Sequence, residues 1–242
     1  MLVIKKSIPM NHLIERVSLT GADDRTELSR LIDLTARYPR VEWALLYVPH
    51  NEGAPRNPQR AWREAFFARL ADYSAVHLCG ALAFEQLLQG TLPADILEAP
   101  RLQLNINARK PDFSDEQVLD VYARALALGP EIILQYHPQS AALIERFALA
   151  TPETDRERVH ILMDASRGTG LAPQKWSHPE RLDEFFVGYA GGIGPENITT
   201  VLQDIAILGR PCWIDMESGI RSDNQFDADK AEAVLHAAAE FR

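Results

Sequence analysis

The chain has 242 residues, of which 46% are hydrophobic and 24% charged, as in ordinary globular proteins. Its 25 Lys and Arg against 34 Asp and Glu give a net charge of −9, which argues against nucleic acid as the main partner. Two cysteines are too few for a disulfide framework, and no apolar run approaches the ~18 residues of a membrane span. Since the N-terminus also lacks a secretory pattern, we expect a soluble cytoplasmic protein.

Short apolar segments recur along the chain, and each is followed by a helical pattern. Their starting points are 26 to 32 residues apart and lie near Arg16, Trp43, Ala75, Leu102, Glu131, Val159, Phe185 and Cys212. Eight strand-plus-helix units in this length predict a single (β/α)8 TIM barrel with eight parallel strands, spanning 1–242 as one domain. The alternative is an open doubly wound sheet, although its early glycine fingerprint is absent here.

Local signals predict where several helices begin. Asn57 followed by Pro58 predicts an N-cap with proline at the first helical position. Ser114 with Gln117 fits a capping box. Gly194 and the proline after it are expected to open the helix before the last strand, and Asp227 to cap the final helix.

Polar residues inside the predicted strands follow a parity. Members of each set are two or four positions apart, so each set points to one side of its strand. The sets are Ser18 and Thr20; His77 and Cys79; Gln103, Asn105 and Asn107; Gln135 and His137; His160 and Asp164; Asp215 and Glu217. These side chains either converge on the barrel mouth or form buried polar layers. The second reading is at least as good for Gln103, Asn105 and His160. Function is favoured for Asp164, Asp215 and Glu217, because we expect strand six to end at Asp164 and strand eight to end at Glu217.

Two glycine-containing loops follow the last two strands, where barrel enzymes commonly bind phosphate. The first contains Gly191 and Gly192, and the second contains Ser218 and Gly219. Their backbone N–H groups, beside a helix N-terminus, predict a phosphate site. Alternatively, the glycines only make tight turns.

The second half of the chain resembles the phosphoribosylanthranilate isomerase family. FFVGYAGGIGPENI (Phe185–Ile198) is similar to the family's AGG-x-x-PENV segment, and WIDMESGI (Trp213–Ile220) to its D-V-x-SGVE segment. ILMDASRGTG (Ile161–Gly170), with Trp176 beyond it, resembles the family's L-L-L-D segment and its GGTG-x-x-x-x-W loop. The likeness covers roughly Val159 to the C-terminus and is faint in the first half.

This resemblance implies an Amadori-type isomerisation of a phosphorylated sugar derivative, related to tryptophan biosynthesis, without metal or redox cofactor. The family's acid matches Asp164, while Thr20 stands where the family has its cysteine base. We add Asp215 to the catalytic group, because a carboxylate across the mouth would raise the pKa of Asp164. Arg56 loosely matches the family's S-P-R loop, and we expect it and Arg167 to bind the substrate, although Arg167 can equally be a solvated loop residue.

Thr20 is the residue that distinguishes an active isomerase from the alternative functions. A threonine hydroxyl does not titrate near neutrality, so we expect the family's own activity to be weak or absent. Cys79 beside His77 is either a relocated thiolate or a small buried residue. The alternatives to an isomerase are a repurposed barrel, such as a lyase or epimerase, and a catalytically silent barrel that binds a phosphometabolite. We expect no metal, although His77, His137 and Asp164 are possible ligands, and either a monomer or a homodimer.

Overall fold

Eight parallel strands close into a barrel in chain order. The computed structural model describes residues 13–106, 113–164, 173 and 175–241. Closure is made by β1 pairing with both β2 and β8. The strands are β1 (Ile14–Thr20), β2 (Val41–Tyr47), β3 (Ser74–Cys79), β4 (Arg101–Asn105), β5 (Glu131–Tyr136), β6 (Val159–Asp164), β7 (Phe186–Ala190) and β8 (Cys212–Met216). The predicted (β/α)8 fold is confirmed.

Helices cover the outside of the barrel. They are α1 (Leu28–Arg37), α2 (Arg60–Leu70), α3 (Ala81–Gln89), α4 (Asp115–Ala127), α5 (Ala141–Ala150), α6 (Glu153–Arg156), α7 (Ile198–Ala206) and α8 (Ala228–Glu240). The described part of the β6–β7 connection has a 3-10 turn at Glu180–Leu182, and a ribbon of β9 (Arg221–Ser222) and β10 (Gln225–Phe226) precedes α8. Among the described residues, no helix is both long and apolar enough to cross a membrane.

Two of the predicted helix caps are present. The Ser114 hydroxyl accepts from the Gln117 backbone N–H at 3.3 Å, and the Gln117 side chain accepts from the Ser114 N–H at 2.9 Å. The Asp227 carboxylate accepts from the backbone N–H groups of Asp229 and Lys230, which fixes the start of α8.

The cap predicted at Asn57 and Pro58 is wrong. α2 begins at Arg60, because the backbone of Asn57 is already used in a turn. Its N–H donates to the carbonyl of Ala54 at 2.9 Å, and its carbonyl accepts from Gly53 at 2.8 Å.

The start predicted for α7 is also displaced. The helix begins at Ile198, after a turn in which the Gly194 carbonyl accepts from the N–H groups of Asn197 and Ile198. The Asn197 side chain accepts from the Gly194 N–H at 2.9 Å and donates to Gly192, so it holds this turn together.

The lower half of the barrel interior is filled by a buried ion pair and an indole ring. Arg101 donates to both oxygens of Glu42 at 2.8 and 3.0 Å, and its guanidinium lies 4.6 Å from the centre of the Trp213 ring. Trp213 occupies the space beside Gly188, where an added Cβ would lie 2.1 Å from the indole. His160 Nδ1 is 3.0 Å from Arg101, so His160 belongs to this structural layer, as one of the two readings of the sequence proposed.

Candidate active site

A cavity of about 360 Å³ lies at the carboxyl ends of the strands. Its wall collects most of the polar residues that the parity pattern selected, together with the glycine loops. The lining includes Thr20, Arg56, His77, Gln103, Asn105, Gln135, Asp164, Gly191, Gly192, Asp215, Glu217 and Ser218. This volume is in the range of small-molecule sites. The strands therefore bring together residues from both halves of the chain.

Thr20 and Asp215 form a hydrogen-bonded pair in the wall of this cavity. Thr20 ends β1 and its hydroxyl donates to Asp215 Oδ1 at 2.8 Å, because Ser18 and Asp215 are paired in the β1–β8 register. Burial raises the pKa of Asp215 to about 7; the Thr20 hydrogen bond opposes this rise, and nearby Glu217 adds to it. A carboxyl group that titrates near neutrality can accept or release a proton under working conditions.

Asp164 ends β6, as predicted, and is 7% exposed at the edge of the same cavity. The Gln135 side chain of β5 donates from Nε2 to Asp164 Oδ2 at 2.6 Å. Gln135 was identified only as a polar residue of suitable parity; the structure shows that it holds the Asp164 carboxylate.

Glu217 and Arg56 close one side of the mouth. β8 ends at Met216, one residue earlier than predicted, so Glu217 lies in the loop, where its Oε1 accepts from Arg56 at 2.5 Å. Arg56 adopts a φ of +75°, a left-handed conformation that is uncommon for arginine. Its backbone N–H donates to Asp23 Oδ2 at 2.7 Å, which holds this unusual conformation. Asp23 was not identified from the sequence.

The two glycine loops are in direct contact. Gly191 and Gly192 have φ values of +118° and +61°, which favour glycine. A Cβ added to Gly219 would lie 2.0 Å from the carbonyl oxygen of Ile193, so the second loop can approach the first only because this side chain is missing. Ser218 of the second loop lines the cavity next to Gly191 and Gly192.

The environment of Cys79 favours a thiol over a thiolate. Burial raises the pKa of Cys79 to about 12, and Asn105 donates to its Sγ at 3.4 Å. His77 is 3% exposed, and burial lowers its pKa to about 4, so its imidazole is neutral near pH 7. These two groups therefore do not form the thiolate–imidazolium pair that would activate a cysteine.

Other residues singled out from the sequence lie elsewhere. Asn107 and Arg167 are outside the described residues. His137 follows β5 and lines a neighbouring cavity under the β6–β7 connection, and Cys212 begins β8 at the opposite end of the barrel. Within the described ranges, no group of three or more His, Cys, Asp or Glu residues is arranged to hold a metal ion.

No protein-family model matches the chain. A curated relative, a multifunctional tryptophan biosynthesis protein of Schizosaccharomyces pombe, is 30% identical over 119 residues. This match covers 47% of the chain but only 15% of that protein's length.

Solved structures show the same barrel. Phosphoribosyl anthranilate isomerase from Thermus thermophilus is 19% identical, with a TM-score of 0.60 over 94% of this chain and 100% of that one. A phosphoribosyl anthranilate isomerase in complex with reduced 1-(o-carboxyphenylamino)-1-deoxyribulose 5-phosphate is 15% identical, with a TM-score of 0.58 over 93% of this chain and 99% of that one.

A spore coat polysaccharide biosynthesis protein from Bacillus subtilis, spsE, is 12% identical, with a TM-score of 0.62 over 94% of this chain and 68% of that one. Barrels with different names therefore share this architecture, which alone does not determine a reaction. The chain has the fold of the phosphoribosylanthranilate isomerases and resembles that family at a distance.

Proposed function

We propose that this barrel is an isomerase-like enzyme that moves a carbonyl group between adjacent carbons of a phosphorylated sugar derivative by acid–base catalysis. The observation that carries the proposal is the Asp215 carboxyl, which is buried, hydrogen-bonded to Thr20 at 2.8 Å, and has a pKa raised to about 7 by that burial. A base for removing a proton from carbon works best when its pKa lies near the working pH. Asp215 thus supplies the general base that the Thr20 hydroxyl cannot provide.

In this reaction Asp215 takes the proton from C2 of the ring-opened substrate. The same proton can return to C1, while the C2 hydroxyl loses its proton and the heteroatom on C1 gains one. The conversion of an aldose derivative into a ketose derivative therefore consumes no proton. Thr20 acts as a positioning residue, because its hydroxyl fixes Oδ1 and stabilises the ionised carboxylate. Asp164, held by Gln135 at 2.6 Å, is placed to exchange a proton with the ring oxygen during opening.

The substrate phosphate is assigned to the glycine loops. Gly191, Gly192, Ser218 and Gly219 offer backbone N–H groups beside the N-terminus of α7, where the helix dipole favours an anion. The solved neighbour that holds a 5-phosphate compound supports a phosphorylated ligand for this fold. Arg56 can contribute a positive charge only when it leaves Glu217.

The test is an isomerase assay with the phosphoribosylanthranilate substrate and with aldose phosphates, together with complementation of a tryptophan auxotroph that lacks the isomerase. We expect weak or absent turnover of the anthranilate substrate. We expect measurable isomerisation of aldose phosphates, which Asp215→Asn reduces by about 10²–10⁴-fold, the usual contribution of a general base. Turnover that Asp215→Asn leaves unchanged would contradict the proposal.

A second function is favoured by Thr20, because the family's cysteine base is missing. In that case the barrel only binds a phosphometabolite. Binding of phosphorylated sugars without turnover of any tested one, in a protein whose Asp215 titrates near pH 7, would favour this alternative.

A further inference from the structure

The wall of the cavity that faces the glycine loops carries uncharged hydrogen-bonding side chains. In the closed barrel, β3 and β4 are four strands away from β7 and β8, and so lie across the mouth from them. β3 contributes His77 to the cavity wall, and β4 contributes Gln103 and Asn105. His77 and Gln103 are paired in the β3–β4 register, which places them side by side.

His77 is a buried side chain with unused hydrogen-bonding capacity. It is 3% exposed, lines the cavity, and its ring nitrogens make no hydrogen bond with any residue in the described ranges. Burial lowers its pKa to about 4, so near pH 7 the ring has one N–H donor and one nitrogen acceptor. Because His77 lines the cavity, a bound ligand can supply hydrogen-bond partners for its ring nitrogens.

Gln103 is held in one orientation by its neighbour. Its Nε2 donates to Asn105 Oδ1 at 2.8 Å, and Asn105 Nδ2 donates in turn to Cys79 Sγ at 3.4 Å. No described residue donates to the side-chain carbonyl oxygen of Gln103, and the residue is 3% exposed in the cavity wall. The Gln103–Asn105 pair thus offers a fixed acceptor next to the imidazole of His77.

We propose that His77 and Gln103 form a hydroxyl-binding subsite, and that the ligand of this barrel is a polyhydroxylated open-chain sugar phosphate whose hydroxyl end meets this wall. A hydroxyl group both donates and accepts, so it satisfies a neutral imidazole and an amide oxygen together. The face of an aromatic amine would leave both groups without partners, and sites built for a hydroxyl discriminate strongly against such ligands. The subsite deepens the proposed function and rests on it, since the phosphate end is assigned to the glycine loops.

The experiment measures binding by isothermal titration calorimetry on the full chain, with inert probes. These are inorganic phosphate, ribitol, ribitol 5-phosphate and reduced 1-(o-carboxyphenylamino)-1-deoxyribulose 5-phosphate. We expect ribitol 5-phosphate to bind at least tenfold more tightly than phosphate and no more weakly than the arylamine compound. Equal affinity for ribitol 5-phosphate and phosphate, or clearly tighter binding of the arylamine compound, would overturn the subsite.

Variants of His77 and Gln103 test whether these two side chains bind the hydroxyl groups of the ligand. His77→Ala and Gln103→Leu should each weaken ribitol 5-phosphate roughly tenfold, the upper range for one hydrogen bond, while leaving phosphate affinity unchanged. His77→Gln keeps a donor and an acceptor and should retain most of the affinity for ribitol 5-phosphate. The matched control is His236→Ala, on the exposed side of α8, which should bind like the parent. If both cavity variants, folded by circular dichroism, bind ribitol 5-phosphate like the parent, the subsite is wrong.

The two proposals fail in different ways. If the phosphate assignment is wrong but the subsite is correct, ribitol and ribitol 5-phosphate will bind equally well, and His77→Ala will weaken both. If the subsite is wrong but the phosphate assignment is correct, ribitol will not bind, and inorganic phosphate and ribitol 5-phosphate will bind with equal affinity. Absence of binding for all four probes would overturn both.

Discussion

The Arg56 guanidinium donates to Glu217 at 2.5 Å on one side of the barrel mouth, and the two residues are 161 positions apart in the sequence. The positive charge of Arg56, which we expect to bind an anionic substrate, is therefore already neutralised by Glu217 within the protein. A phosphate or carboxylate that uses Arg56 has to displace Glu217. We therefore expect Glu217 to oppose anion binding at Arg56, and its charge also raises the pKa of the neighbouring Asp215.

Removing the negative charge of Glu217 should strengthen anion binding. Glu217→Gln frees Arg56, and we expect phosphate affinity to rise several-fold. The gain should shrink at high salt, because salt screens the exposed positive charge of Arg56. Titration calorimetry at two ionic strengths measures both quantities. The double variant with Arg56→Gln should lose the gain; a gain that survives it would show that Arg56 takes no part.

The pKa of Asp215 should move in opposite directions in two variants. Thr20→Val removes a donor that stabilises the carboxylate, so the pKa rises above its value of about 7. Glu217→Gln removes a nearby negative charge, so the pKa falls. Carbon-13 NMR titration of labelled aspartate carboxyls follows these shifts without a substrate. Shifts of the same sign in both variants would contradict the assigned interactions.

Asp215 should also affect stability in a pH-dependent way. Its folded pKa of about 7 lies above the ordinary value of 3.8, so the folded state holds a proton that the unfolded state has lost. Its contribution to stability is full below pH 4 and decreases as the pH rises to 7 and beyond. The melting temperature of Asp215→Asn minus that of the parent should therefore increase from pH 5 to pH 8. The increase should be about 2–4 °C for each kcal/mol of unfolding free energy that the parent loses. A constant difference across this range would show that Asp215 titrates normally.

Thr20→Cys tests whether the missing thiol limits activity on the anthranilate substrate. The change places a titratable group at the end of β1, and we expect turnover to increase well above the parent. Asp164→Asn in the same background should remove the gain, because the acid is then absent. A parent protein that already turns over this substrate at a rate typical of metabolic enzymes would contradict the interpretation of Thr20.

The anion site can be tested with two glycines of similar backbone conformation. Gly192 in the first loop and Gly209 after α7 have φ values of +61° and +67°. Gly192→Asp adds a negative charge where the phosphate is expected and should abolish binding of phosphate and sulfate. Gly209→Asp carries a comparable conformational cost at a position away from the cavity, so it should bind phosphate and sulfate like the parent. Equal binding by both variants would place the anion elsewhere.

The fold was predictable from sequence because its signals are local and repeated. Strand and helix patterns at a regular spacing require only short windows, and the parity of polar residues identified most of the polar side chains in the cavity wall. The cap at Asn57 failed because its backbone was engaged by Gly53 and Ala54, which the capping pattern does not include.

The electrostatic relationships of the site were not predictable in the same way. Thr20 and Asp215 are 195 residues apart, and their hydrogen bond depends on the strand register at barrel closure. The raised pKa of Asp215 depends on burial, which the residue type alone does not reveal. The partnership of Arg56 and Glu217 likewise depends on two loops whose conformations are set by their own turns.

The layer of Arg101, Glu42 and Trp213 has an evolutionary consequence. It fills the barrel beneath the cavity with its own ion pair and aromatic contact, so this part of the core does not depend on the chemistry of the strand ends. We therefore expect single substitutions at the strand ends, such as Thr20→Cys, to have little effect on folding. A barrel built in this way can lose one reaction and acquire another while remaining folded throughout, which makes it a suitable starting point for directed evolution.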